Sequence, residues 1–283
     1  MMASIATTAG TPQTRPFGPR RTISDIAAIT RRNLLHTIRL RAVLVLSSAM
    51  PVIFILMFTN VFGGAIEAAL PPATSGAYVN WLIPGLLAQF ALFGGTATAA
   101  GLADDLGTGT IDRFRSLPMS RLAVLAGRTF SDLARSAVTL VLMLAVGVAI
   151  GFRWQTSLLG LIAGLAVALA FGYALSWLMA FLGLVVQSAE AVQAAVYMVV
   201  FPLGFTSAVF VPTQTMPAWL QGFAEHQPVT VAANALRGLM LGDGALAPGQ
   251  TVAGQAGLSL ACAVAIVALF VPLAVRAYNR GRA

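Results

Sequence analysis

Long apolar runs alternate with short polar segments along the chain after residue 41. The runs cover approximately residues 42–62, 82–103, 129–150, 157–186, 192–211 and 252–275. A helix needs about 20 mostly apolar residues to cross the hydrocarbon core of a bilayer. Because only helices and closed barrels satisfy their backbone groups in lipid, and the lengths favour helices, the pattern predicts an all-α membrane protein with six transmembrane helices.

The composition supports a bilayer environment. The chain is 58% hydrophobic and only 9% charged, whereas a soluble domain carries about 25% charged residues. Residues 1–21 are rich in Thr, Pro, Gly and Arg, which predicts a disordered cytoplasmic tail. No apolar segment follows before about residue 42, which argues against a cleaved signal peptide. We therefore expect one transmembrane domain over residues 22–283.

The arginines predict the orientation in the membrane. With the N-terminus inside, the tail holds seven arginines, the loop after the second span four and the C-terminus three, against Arg153 and Arg237 outside and Arg135 within a span. The reverse orientation would place fourteen arginines outside. Both termini are therefore predicted to be cytoplasmic. The chain has no lysine, so a standard ATP-binding P-loop, which uses a lysine on the phosphates, is excluded.

Two segments outside the spans have amphipathic patterns. In residues 22–41, Ile23, Ile26 and Leu34 fall opposite Asp25 and Arg32, which predicts an interfacial helix on the inner leaflet. A plain positively charged flank that only sets the orientation is the alternative. Residues 212–251 form the longest external segment, and the pattern predicts two short helices there, partly re-entrant or lying on the outer surface.

A charged segment, DDLGTGTIDRFRSLPMSR, separates the second and third apolar runs. Gly107 and Gly109 interrupt helix, whereas residues 110–117 can form a short helix on the membrane surface. A charged cytoplasmic loop in such an apolar protein favours contact with a soluble partner. We predict that this contact uses Asp104, Asp105, Asp112, Arg113, Arg115, Pro118 and Arg121.

Other polar residues lie in or near the apolar runs. Asp132 and Arg135 are three residues apart on one helix face and can pair, either as an interfacial salt bridge or as a gate that links the loop to the bundle. Glu190 is a candidate second contact for the partner. Candidate residues of a transport pathway are Gln89, Thr206 and Ser207, with helix–helix hydrogen bonding as the alternative.

The charged segment also resembles the cytoplasmic motif of ABC-2 type permeases, in which an acidic cluster precedes Gly-Thr, an acidic–basic helix and Pro-x-Ser-Arg. The matching positions are Asp104, Asp105, Gly109, Thr110, Asp112, Arg113, Leu117, Pro118, Ser120, Arg121, Gly127 and Arg128. A second, external match comprises Pro212, Met216, Pro217, Trp219, Leu220, Pro228, Ala235, Leu236, Arg237 and Gly238. The chain is most similar to the daunorubicin/doxorubicin-resistance type found in actinobacteria. It departs from the family in using aspartates where glutamates are common, and in having His226-Gln227-Pro228 where Asn-Pro is frequent.

The resemblance implies a permease subunit that pairs with a second permease, identical or paralogous, and with a separate ATPase subunit. ATP and Mg²⁺ would bind to that ATPase, and this chain would hold no cofactor, metal or catalytic residue. The implied activity is export by alternating access. Apolar spans suit a hydrophobic or amphipathic cargo, such as a drug, an antibiotic or a lipid.

Three other functions remain open from the sequence. The chain could belong to the ABC-2 permeases that export polysaccharides or glycolipids. A membrane-embedded lipid-modifying enzyme would need clustered acids, a metal-ligand set or a nucleophile with a base, whereas the nine acids are spread over the loops. A secondary transporter would usually place ionisable residues near the membrane midplane.

Overall fold

The computed structural model describes residues 30, 41–66, 70, 78–109, 121–186 and 188–280. All regular secondary structure in these residues is helical. The helices are α1 (Arg41–Met57), α2 (Tyr78–Phe93), α3 (Thr96–Gly107), α4 (Arg121–Ala149), α5 (Leu158–Val186), α6 (Ala189–Phe205), α7 (Ala218–His226), α8 (Pro228–Leu241) and α9 (Val252–Arg280). α1 continues through a π-helical turn, Phe58–Phe62, into a last helical turn at Gly63–Ile66.

Five stretches are long and apolar enough to cross a membrane: Ala49–Ile66, Tyr78–Gly107, Val124–Ala149, Leu158–Val186 and Val252–Asn279. They coincide with the first four predicted spans and the last one. The prediction of an all-helical, multi-span protein is thereby confirmed.

The predicted span at 192–211 is shorter in the structure, because α6 has 17 residues and ends at Phe205. At about 1.5 Å per residue it is roughly 25 Å long, less than a hydrocarbon core of about 30 Å. Residues 206–211 form turns instead of helix. The carbonyls of Ala208 and Val209 accept hydrogen bonds from Arg237, and this contact replaces helical hydrogen bonding in an apolar stretch.

The second span is interrupted at Gly94 and Gly95, between α2 and α3. A β-carbon added at Gly95 would lie 2.7 Å from the Cα atom of Ser176 on α5. The glycine therefore lets the backbone of the second span approach α5 closely. The span predicted at 82–103 is observed at Tyr78–Gly107, and the apolar pattern does not reveal the turn within it.

The ends of the charged loop follow the predicted glycine signals. α3 ends at Gly107, and Gly109 has a φ of +69°, which favours glycine. On the other side of the loop α4 already begins at Arg121, eight residues before the run predicted at 129–150. The uncharged part of that run is too short to cross a bilayer, so the helix includes the polar residues that precede it.

α5 is the central helix and packs against α2, α3, α4, α8 and α9. The described apolar core has a large cluster around α2, α5 and α8, and a smaller cluster near the ends of α3 and α4. Between α6 and α9, the chain forms the two short helices that the sequence predicts. Pro217 precedes α7 and Pro228 begins α8, where the missing amide hydrogen costs nothing. Most of α8 is buried in the bundle.

Candidate functional site

A polar cluster joins α3 to α4 beside the charged loop, and we call Thr98, Asp105, Arg128, Asp132 and Arg135 the loop-proximal cluster. At its outer edge Arg128 forms a salt bridge with Asp105. The Arg128 guanidinium lies over Gly101, where any side chain would occupy the same space. The small residue on α3 therefore makes room for the charge on α4.

Deeper in the bundle the cluster becomes buried. Asp132 is 6% exposed and accepts a hydrogen bond from the Thr98 hydroxyl. Its Oδ1 atom also accepts from Arg135 Nη2 at 2.8 Å, and the same nitrogen donates to the carbonyl of Gly94 at 2.9 Å. A buried carboxylate is tolerated when it is paired and hydrogen-bonded in this way.

The cluster holds two carboxylates and two guanidinium groups, so its formal charges balance. Its contacts link α4 to the second span at three points, Asp105, Thr98 and Gly94, which are spread over about three helical turns. α3 and α4 are therefore tied together from the edge of the loop up to the interruption at Gly94.

The structure describes only part of the predicted partner surface. Asp104 is exposed and Asp105 is partly buried. Asp112, Arg113, Arg115 and Pro118 lie outside the described residues, and Arg121 is placed only as the first residue of α4. Glu190 is exposed in the first turn of α6. The structure thus brings Asp105 together with Asp132 and Arg135 in one network.

The predicted N-terminal tail and most of the interfacial helix also lie outside the described residues. Thr30 is the exception, and it touches α4. Its hydroxyl donates to the carbonyl of Gly127 at 3.1 Å, and its own carbonyl lies 3.4 Å from the Ser131 hydroxyl. Both contacts fall within one turn of Arg128, so Thr30 packs beside the loop-proximal cluster.

The three candidate pathway residues lie near the junction of α2 and α6. Gln89 is buried and its amide packs on Gly204. Its Oε1 atom has no hydrogen-bond partner among the described residues. The hydroxyls of Thr206 and Ser207 donate to carbonyls of their own chain at Pro202 and Gly204. The two hydroxyls therefore cap the end of α6, and the buried Gln89 amide packs against this end.

A row of aromatic rings crosses the bundle next to Gln89, and sequence reasoning missed it. Neighbouring ring centres lie 4.4 to 6.0 Å apart, within the range of favourable ring contacts. The aromatic row comprises Phe54, Phe58, Phe62, Phe90, Phe93, Tyr197, Phe201, Phe205 and Phe210. Its signal in the sequence is the repeat of every fourth residue from Phe54 and from Tyr197, which puts the rings on one face of each helix.

Arg237 is the second feature that the sequence did not reveal. It was counted as an external loop charge, yet it is 0% exposed. Its guanidinium donates to the carbonyls of Trp81, Ala208 and Val209 and to Asn234 Oδ1, and its Cζ atom lies 3.5 Å from the centre of the Trp81 ring. Burial lowers the pKa of Arg237 to about 9, so the side chain stays charged at neutral pH.

These features together define a class of protein: a multi-pass helical membrane protein in which the two helices that flank a charged loop are joined by a salt bridge. Residues 24–241 match the model of the ABC-2 type transporter family. The chain belongs to this family, and its resemblance to drug-resistance permeases is confirmed by its relatives.

One such relative is the daunorubicin resistance ABC transporter permease protein DrrB1 of Streptomyces coeruleorubidus. It is 35% identical over 234 residues, which cover 83% of this chain and 78% of the relative. A second is the probable doxorubicin resistance ABC transporter permease protein DrrC of Mycobacterium tuberculosis. It is 30% identical over 223 residues, covering 76% of each chain. The doxorubicin resistance permease protein DrrB of the same species is 26% identical over 192 residues, covering 67% of this chain and 66% of the relative.

Proposed function

We propose that this chain is the membrane-spanning permease subunit of an ATP-driven exporter. It moves a hydrophobic or amphipathic compound out across the cytoplasmic membrane, powered by a separate ATPase subunit that binds ATP and Mg²⁺. Membership of the ABC-2 family supports the permease role. The names of the relatives, which refer to daunorubicin and doxorubicin resistance, support a drug as the cargo.

The loop-proximal cluster is the observation that carries this proposal. The ATPase docks on residues 104–121, the loop whose flanking helices α3 and α4 are joined by Asp105 and Arg128. A push on the loop moves α3 and α4 as one body, because Asp132 and Arg135 also bind the second span. Rigid contacts of this kind transmit a displacement instead of absorbing it. Glu190, exposed at the start of α6, offers a second contact.

The interruption at Gly94 and Gly95 supplies the point at which the bundle bends. On one side of it α3 packs mainly against α5 and α6, on the other side α2 packs mainly against α8 and α5, and α4 contacts both α2 and α3. Alternating access requires two packings of the same helices. A break in helical hydrogen bonding, located where the two packing groups meet, allows one group to rotate against the other.

The aromatic row offers a surface for an aromatic, amphipathic cargo. Tyr197, Phe201 and Phe205 are exposed on α6, as Phe62 is on the continuation of α1. Planar aromatic molecules stack on such rings, and the buried amide of Gln89 packs against Gly204 near the end of α6. A second permease, identical or paralogous, would cover this face and complete the pathway.

The proposed topology has six spans, with α6 as the fifth, both termini in the cytoplasm and residues 1–21 as a tail. Contacts at both ends of the bundle support the alternation of the described spans. Arg153, after α4, donates its backbone N–H to Asn80 at the start of α2. The other ends of the same two spans meet at Asp105 and Arg128. The neighbours therefore run antiparallel, as successive spans must.

Association with the ATPase tests the docking step. The chain is co-purified with the ATPase encoded beside it, and Asp112→Arg and Arg113→Asp are compared with the unaltered chain. Charge reversal in the loop is expected to weaken association by at least tenfold, because loop and ATPase meet through complementary charges. Arg153→Glu, an exposed reversal at the opposite end of the bundle, is the matched control and should associate normally. Association that survives both loop reversals would rule out the assigned surface.

A further inference from the structure

A polar cavity of about 330 Å³ lies at the end of the bundle opposite the charged loop. Its walls come from the start of α2, from α8 and from the segments on either side of α7 and α8. Glu225 and Gln214 are exposed at its rim, whereas Thr230 and Trp81 are buried at its floor. The cavity thus leads from the protein surface to a buried polar floor, and none of its lining residues belongs to the loop-proximal cluster.

Two residues of the cavity wall carry buried polar atoms without a hydrogen-bond partner among the described residues. They are the indole Nε1 of Trp81, a residue only 5% exposed, and the amide Oε1 of Gln250. Buried polar groups in folded proteins are nearly always satisfied by protein, water or a bound molecule, so these two atoms are candidate contacts for a ligand. One of these atoms is a donor and the other an acceptor.

The remaining polar groups of the cavity wall supply further hydrogen-bond donors and acceptors. Asn234 Oδ1 accepts from Arg237, and because a guanidinium only donates, the Asn234 NH₂ group must point away from it. The Thr230 oxygen accepts from the Ala208 amide and from Gln227, which leaves its O–H to donate. At the rim the Glu225 carboxylate lies 3.4 Å from the Thr213 hydroxyl and accepts from it.

The floor is held in place by Arg237. Its hydrogen bonds and ring contact fix Trp81 and Asn234 from behind. The wall is therefore ordered before a ligand arrives, which lowers the entropic cost of binding. The Arg237 charge beneath the floor and the Glu225 charge at the rim oppose each other, so the cavity favours neither a strong anion nor a strong cation.

We propose that this cavity binds a neutral, hydroxyl-bearing group of about the size of a monosaccharide. A hydroxyl donates and accepts at once, which is what Trp81 and Gln250 require together. The volume lies at the lower limit of small-molecule pockets, about 300 to 1,000 Å³, and suits one ring and not a polycyclic compound. Such a group could be the polyol part of an exported compound or the headgroup of a membrane lipid. The site does not depend on the docking of an ATPase.

Binding is tested on the full chain in nanodiscs of phosphatidylcholine, with glucose, myo-inositol and glycerol as probes in titration calorimetry. We expect saturable binding of at least one probe. Gln250→Leu and Trp81→Phe, each of which removes one partner, should weaken it about tenfold. Asn60→Leu is the control, since this exposed amide donates to the Leu56 carbonyl and neither residue lines the cavity. Thermal unfolding verifies that each variant is folded.

A second binding experiment identifies whether the hydroxyl-bearing group comes from a lipid or from an exported compound. In nanodiscs that contain phosphatidylglycerol, whose headgroup is a polyol, weaker apparent binding of the free probe supports a lipid headgroup as the occupant. Unchanged binding supports a group carried by the exported compound. The absence of saturable binding for all three probes would overturn the proposal. So would equal binding by the unaltered chain and by Gln250→Leu, since the probe would then bind elsewhere.

Discussion

The Arg135 guanidinium donates a hydrogen bond of 2.9 Å to the backbone carbonyl of Gly94. Gly94 lies just after α2 ends, where helical hydrogen bonding is interrupted and carbonyls need another partner. A charged side chain of the third span therefore completes the backbone of the second. The same nitrogen binds Asp132, so the interruption and the salt bridge form one unit.

The first prediction concerns the two charges of this unit. Arg135→Leu leaves the Asp132 carboxylate buried without its cation and deprives the Gly94 carbonyl of its donor. Breaking a buried pair in this way costs about 3–5 kcal/mol. Asp132→Asn keeps a polar group beside Thr98, and the long side chain of Arg135 can reach water. This substitution should therefore lower the stability by only about 1 kcal/mol. Thermal unfolding in detergent should show the larger drop in Tm for Arg135→Leu, and the opposite order would contradict the assignment.

The second prediction concerns the pair between Asp105 and Arg128. The two side chains are 24% and 25% exposed, so the pair contributes at most about 1 kcal/mol to stability. Asp105→Arg or Arg128→Asp alone should leave Tm nearly unchanged and yet lower ATP-driven transport severalfold, because α3 and α4 no longer move together. The double exchange should restore transport in vesicles. If the single variants transport normally, the pair has no role in coupling.

A third prediction uses the glycine at the interruption. Gly95→Ala places a β-carbon 2.7 Å from the Cα atom of Ser176, so α3 must move away from α5 and stability should fall by about 1–3 kcal/mol. Gly257→Ala is the matched control, since nothing lies within 4 Å of its added β-carbon inside α9. That variant should be neutral or more stable by up to about 1 kcal/mol. Equal Tm values for the two variants would show that the close approach is not required.

A fourth prediction concerns Arg237. Arg237→Lys keeps the charge, but a single ammonium group cannot reach Trp81, Asn234 and the carbonyls of residues 208 and 209 together. Each unsatisfied buried carbonyl costs about 1–3 kcal/mol, so both Arg237→Lys and Arg237→Leu should destabilise the protein strongly. Trp81→Phe retains an aromatic ring and should cost less. Urea unfolding of the purified protein measures the free energy of unfolding of the three variants. An Arg237→Lys variant as stable as the unaltered protein would refute the anchoring role.

The apolar pattern located the membrane-spanning helices well where polar residues close to each end of a run determine the bounds of the helix. The fourth span was predicted at 157–186 and is observed at Leu158–Val186, because a long apolar run is bounded by polar residues on both sides. The spacing of Asp132 and Arg135 likewise pointed to a pair, since residues three apart share a helix face.

Other features depend on tertiary contacts that no local pattern contains. Residues 206–211 are apolar enough for a helix, but they form turns because Arg237, 28 and 29 residues away, binds their carbonyls. The interruption at Gly94 leaves the hydropathy of the run unchanged, so the pattern did not reveal it. The sequence assigns Arg237 to an external segment and does not reveal its burial, because a sequence shows that a residue is ionisable and not where its partners lie.

Transport per ATP hydrolysed tests the central claim most directly. The permease is reconstituted with its ATPase in inverted vesicles, and vanadate-sensitive uptake of doxorubicin is measured together with phosphate release for the unaltered chain, Arg135→Leu and Thr98→Val. The account predicts that both variants assemble and hydrolyse ATP, while uptake per ATP falls at least tenfold. Uptake that stays proportional to hydrolysis in both variants, or that continues without any ATPase subunit, would contradict it.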